Sequence, residues 1–128
     1  MHTINDLRID GDLHGDFEAF VDGKMFYSDA GYYKEWPGHF FIGGTSNENF
    51  VIFSVPTSLV GDGPHDVELY DSPGMVKWEV GINSERSDVK AGSTTVTFAN
   101  DRNNAKGTFD FVLENGKKVT GAYLLFMR

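Results

Sequence analysis

Apolar and polar residues alternate with a period of two in a series of short runs, which is the pattern of half-buried β-strands. Phe17, Ala19 and Val21 alternate with Glu18 and Phe20, and the run returns from Lys24 after Asp22-Gly23, a dipeptide suited to a tight hairpin turn. Residues 40–45 and 50–55 form a second strand pair around Ser46-Asn47-Glu48-Asn49, and residues 66–70 a short strand closed by Asp71-Ser72-Pro73-Gly74. Val76, Trp78, Val80 and Ile82 alternate with Lys77, Glu79 and Gly81, so that strand has one buried and one wet face. Between these lie two irregular segments, residues 29–38 and the turn Gly61-Asp62-Gly63-Pro64. Residues 84–90 read as a single helical turn with Ser84 as its cap, followed by a strand at 94–99 and a polar loop at 100–105.

The last hairpin pairs residues 107–114 with 117–127 around Asn115-Gly116, a dipeptide that favours a two-residue type I′ turn. A two-residue turn sets Glu114 opposite Lys117, Val112 opposite Val119 and Phe109 opposite Ala122. Phe109, Phe111, Leu113, Thr120, Ala122, Leu124 and Phe126 are then expected to face the core. The opposite face carries Tyr123, Leu125 and Met127, so the segment is apolar on both sides. Either another part of the chain covers that second face, or a homodimer forms through Tyr123, Leu125 and Met127.

These runs predict a single all-β domain over residues 1–128, an antiparallel β-sandwich or flattened β-barrel of about nine strands. Residues 1–12 are polar and read as an N-terminal arm or a loose first strand. At 128 residues the chain can bury a core without staples, and its 40% hydrophobic and 14% aromatic content fits a globular protein. Fifteen glycines fit a fold of many turns.

The formal net charge is −8, and no run of Lys or Arg interrupts it. Neutralising phosphates needs a basic face, so nucleic acid and anionic membrane are disfavoured as partners. There is no cysteine, which removes disulfides and thiolate chemistry and suits a cytoplasmic protein. The first residues lack the basic and apolar regions of a signal peptide, and no apolar run approaches the ~20 residues of a membrane span.

Chemistry-bearing motifs are sparse. Asp10, Asp12, His14 and Asp16 place a hard-cation ligand at every second position, and on a strand all four share one face. The likeness to a calcium loop stops there, because the position that needs a bidentate Glu is Val21. His2, His14, His39 and His65 are scattered without zinc-site spacing, and no nucleophile elbow or phosphate-binding loop is present. No cofactor and no catalytic residue is indicated. The aromatic stretch Tyr32-Tyr33-Lys34-Glu35-Trp36-Pro37-Gly38-His39 offers two readings. Exposed, its rings would stack on a sugar or recognise a protein; folded back, Trp36 would plug one end of the fold. The candidate binding residues are Tyr32, Tyr33, Trp36, His39 and His65, on two loops expected at one end of the sheet.

Two pieces, Gly15-Asp16-Phe17-Glu18-Ala19-Phe20-Val21-Asp22-Gly23-Lys24-Met25-Phe26 and Lys106-Gly107-Thr108-Phe109-Asp110-Phe111, resemble the opening hairpin and a late strand of small bacterial β-sandwich proteins of unknown function, of the DUF6252 type. The resemblance implies a β-sandwich and brings no functional residues. Three functions follow as expectations. The first is a non-catalytic binding module for a glycan, a small apolar molecule or a protein. The second is a calycin-like barrel enzyme using carboxylate and His acid–base chemistry. The third is a structural subunit dimerising through the C-terminal strand.

Overall fold

The structure, a computed structural model, describes residues 14–46, 48–70 and 77–127. The expected N-terminal arm at 1–12 with Asp10 and Asp12, the turn at 71–74 and Val76 lie outside those residues. Ten strands are described: β1 (Gly15–Val21), β2 (Lys24–Asp29), β3 (Tyr32–Trp36), β4 (His39–Thr45), β5 (Phe50–Pro56), β6 (His65–Glu68), β7 (Glu79–Ile82), β8 (Glu85–Ala99), β9 (Asn104–Leu113) and β10 (Lys118–Phe126). All pairings are antiparallel. Nine strands run in the order β2-β1-β10-β9-β8-β7-β5-β4-β3, and β6 adds to β8. The sheet curls into a half-barrel around a main core, with a second, smaller cluster of Tyr32, Phe41, Phe50 and Ile52 on the other face of β3–β4–β5, the all-β architecture that the alternation predicts.

The 15-residue β8 makes the curl. Its first residues pair with β7, and the rest pair with β9 on one side and β6 on the other. A register shift between Val89 and Ala91 marks where the strand bends from one half of the sheet into the other. The helical turn expected at 84–90 is therefore a strand. Asn83 and Ser84, with φ of 53° and 69°, form the tight two-residue turn that starts it, and its charged side chains line a solvated surface. The segment at 29–38 is also more regular than expected, because Tyr32–Trp36 pairs with His39–Thr45 as β3–β4.

The C-terminal hairpin forms, but one residue out of the expected register. Lys118 lies opposite Val112, Gly121 opposite Phe109 and Tyr123 opposite Gly107. Gly116 (φ 87°) donates its N–H to the Leu113 carbonyl, and the Leu113 N–H bonds the Lys117 carbonyl. This is a three-residue loop with a left-handed glycine at its end, not a two-residue type I′ turn. Because strand side chains alternate, one residue of slip exchanges the faces of β10. Val119, Tyr123 and Leu125 point into the core, whereas Thr120, Leu124 and Phe126 are exposed and Ala122 is half-buried. The face expected to seek a partner is thus covered by the chain itself, and Met127 packs against the same core.

Glycine shapes this core at two cross-strand pairs. Gly107 lies opposite Tyr123 and Gly121 opposite Phe109. A Cβ at Gly107 would sit 2.7 Å from the Tyr123 hydroxyl, and one at Gly121 would overlap the Phe109 ring. The aromatic rings fill the space those side chains leave.

Candidate functional site

The interior is occupied by rings. Phe17, Tyr123 and Phe109 contact one another along the β1–β10–β9 side with Tyr27 of β2 edge-on to Phe17, and Phe53, Trp78 and Phe111 complete the cluster across the barrel. Their polar atoms are mostly bonded locally. Thr94 Oγ1 donates to the Thr108 carbonyl and lies 2.7 Å from the Tyr123 hydroxyl; the Tyr33 hydroxyl donates to the Arg102 carbonyl at 2.7 Å. Burial raises the pKa of Tyr27 to about 12 and pushes Tyr33, Tyr70 and Tyr123 upward as well, since a phenolate in this setting loses its hydration.

One polar chain lies on the β4–β5 side. His39 Nδ1 is 3.0 Å from the Tyr70 hydroxyl, which is 3.2 Å from Ser54 Oγ. Ser54 is fully buried and His39 is 6% exposed. No carboxylate bonds to the three among the described residues, and a buried serine offers no nucleophile to a substrate. Their mutual bonds satisfy polar atoms next to the core.

The expected binding residues divide between two clusters: Tyr33 lies in the main core, whereas Tyr32, with Trp36 against it, packs with Phe41, Phe50 and Ile52 in a second cluster on the opposite face of β3–β4–β5. Tyr32, Tyr33 and His39 are buried and Trp36 is half-buried against Phe41. Tyr33 stacks on Phe40, Phe40 on Phe98, and the His65 ring contacts Phe98, so the two loops do share one end of the sheet. Arg102 locks that end. Its guanidinium lies over Phe98 and donates to the carbonyls of Thr57, Leu59 and Gly61, and His65 Nε2 also bonds the Gly61 carbonyl. Tyr33, Phe40, Phe98 and His65 therefore pack the end of the barrel, and Tyr32 and Trp36 pack among the rings of the second cluster. Val60, 91% exposed, is the apolar side chain that this end presents to water.

Of the metal candidates, His14 stacks on Phe126 at 5.3 Å, and Asp16 lies opposite Leu124 on the outer face of β1. Among the described residues no three His, Cys, Asp or Glu side chains converge to hold a cation. No helix among them is long and apolar enough to cross a membrane.

The surface that sequence reasoning missed is the outer face of β1, β10, β9 and β8. Its spine is Ala122, Leu124 and Phe126, with Leu124 54% and Phe126 45% exposed. The register places Lys106 and Asp16 on either side of Leu124, and Thr108 and Glu18 on either side of Ala122. Two shallow grooves flank the spine. One, of about 440 Å³, is lined by Asp16, Glu18, Ser28 and Asp29; the other, of about 410 Å³, by Thr95, Thr97, Lys106 and Thr108. One side is anionic and the other offers hydroxyls and a cation. The signal that could have located this face is the glycine of Asn115-Gly116, which also suits the left-handed end of a three-residue loop.

No family model, no curated protein and no solved structure matches this chain.

Proposed function

We propose that this chain is a non-catalytic protein-interaction module that binds through the outer face of β1, β10, β9 and β8. The observation that carries the reading is the exposed pair Leu124 and Phe126 in the middle of a paired strand, flanked by grooves of opposite character. Large apolar side chains fixed on a rigid sheet are what an interface core needs, because little side-chain or backbone freedom is lost on docking. The interior supports a small apolar ligand less well, since such a ligand would have to displace rings already in contact. A glycan is supported less well too, its natural stacking partners being packed against other rings in the two clusters. The acidic groove and the net charge of −8 speak against nucleic acid. A cytoplasmic setting goes with this reading, which needs no disulfide. The likeness to small bacterial β-sandwich proteins adds no functional residue to it.

The test is a ¹⁵N-HSQC titration with water-miscible organic probes such as isopropanol and acetonitrile, which collect on interface hot spots. Shifts are expected to cluster at Ala122, Leu124, Phe126 and the residues lining the two grooves. Saturable shifts at Phe53, Tyr70 and Trp78 instead would overturn the reading in favour of a ligand-binding interior.

A further inference from the structure

We infer that the partner of this outer face is a second copy of the chain, docked about a two-fold axis that runs along β10. The inference rests on reading that face as an interface, and it names the occupant from the arrangement of charge.

Two antiparallel sheets packed face to face lie ~10 Å apart, with strands ~4.8 Å apart within each. A two-fold axis lying between the sheets and parallel to β10 leaves β10 facing β10. It brings β9 of one copy over β1 of the other, and β8 over β2, because β9 and β1 are the two neighbours of β10. Each row of the face then meets its own mirror order. In the Leu124 row, Lys106 of one copy faces Asp16 of the other, twice, on both sides of a Leu124–Leu124 contact. In the Ala122 row, Thr108 faces Glu18, a hydroxyl donor against a carboxylate, and the small Ala122 lets the two sheets approach.

The two grooves are thus complementary to each other and not each to itself. That is the requirement for an isologous contact, in which the same patch appears on both partners. A heterologous partner would need its own lysine and its own carboxylate at matching spacing; a second copy carries both by symmetry. The match ends at the Thr120 row, where Asp110 would meet Phe20. Because the outer face of the half-barrel is convex, the contact is confined to β10 and its neighbours β1 and β9 and stays below the size of a standard interface, so the dimer is weak and concentration-dependent.

The experiment is sedimentation equilibrium at near-physiological salt from about 1 µM to about 500 µM, a range over which mass action moves a weak dimer from mostly apart to mostly paired. The wild-type chain is expected to approach twice its monomer mass, and Leu124→Glu to remain monomeric throughout. Lys106→Asp and Asp16→Lys should each weaken association at least ~10-fold, and the double variant should recover it to within ~3-fold, because the swapped pair is restored across the axis. All three positions are on the solvated face, and an unchanged far-UV spectrum and melting temperature check folding. A wild-type chain that stays monomeric to the highest concentration overturns the inference; organic-probe shifts on the same face would then leave a different protein as its partner. A dimer indifferent to Leu124→Glu, or single charge variants whose combination fails to recover, overturns it too.

Discussion

The inner and outer faces of β10 carry side chains of similar hydrophobicity and have opposite surroundings. Val119, Tyr123 and Leu125 are buried among aromatic rings, while Leu124 and Phe126, one residue away, stand in water. Composition does not choose between the faces. The choice is made at Gly116, whose left-handed backbone adds the residue that shifts Tyr123 opposite Gly107 and Phe109 opposite Gly121. Ring opposite glycine fills space; the alternative register would have set Phe109 opposite Ala122 and turned Tyr123 outward. A strand apolar on both sides is therefore oriented by its turn and by the shape of its neighbours.

Variants can test this asymmetry, and the largest effect belongs to the inner face. Leu125→Ala should cost ~2–5 kcal/mol in urea unfolding, since a fully buried leucine leaves both a lost transfer term and a cavity. A second effect, spread over the interior, appears at high pH. Tyr27, Tyr33, Tyr70 and Tyr123 have folded-state pKa values above the ordinary phenol value, all chiefly through burial. Below pH ~10 both folded and unfolded states keep these protons and their contribution to stability is complete. As pH rises beyond that, the unfolded chain loses protons first, so stability falls through the range up to the raised values, which for Tyr27 is about 12. Phenolate absorbance should then rise together with loss of near-ultraviolet circular dichroism, and a titration centred near pH 10 with the fold intact would contradict the packing described. The smallest effect belongs to the outer face. Leu124→Ala is expected to change stability of the dilute monomer by no more than ~0.5 kcal/mol, and a cost like that of Leu125→Ala would mean that the two faces have been exchanged.

Much of the fold was legible in the sequence. The alternation at Phe17, Ala19 and Val21, and at Trp78, Val80 and Ile82, gives the strands and their inward sides. Asp22-Gly23 turns with positive φ at both residues, as the dipeptide predicts. The misreadings share a physical cause, which is that local signals were outweighed by pairing. Glu85-Arg86-Ser87-Asp88 has little strand propensity of its own, yet it is drawn into β8 by its antiparallel contact with β7. Tyr32-Tyr33-Lys34-Glu35-Trp36 has no clean alternation and becomes β3 because β4 lies beside it. The candidate site was legible only as a list of residues. That Tyr33 and His65 share an end was anticipated; that the shared end is sealed depends on Phe98 and on an arginine that holds three carbonyls, which no spacing in the chain reveals. The outer face escaped notice because its identity turned on a single residue of register.

The pairing of β1 with β10 has a consequence for how this chain is made. Every residue of β1 from Gly15 to Val21 has its partner between Val119 and Leu125, so the first strand described is completed by the last. As the chain leaves the ribosome, β1 and β2 can form their hairpin early, but the free edge of β1 has no hydrogen-bonded strand until β10 emerges. The packing of the Phe17 ring then waits for Tyr123 and Phe109 to complete it. Contacts so distant in sequence close slowly, because a long loop must be ordered before they add any stability. During synthesis the early hairpin is thus the part of the protein most in need of shelter, and any shortening of the C-terminal strand would strand it there permanently.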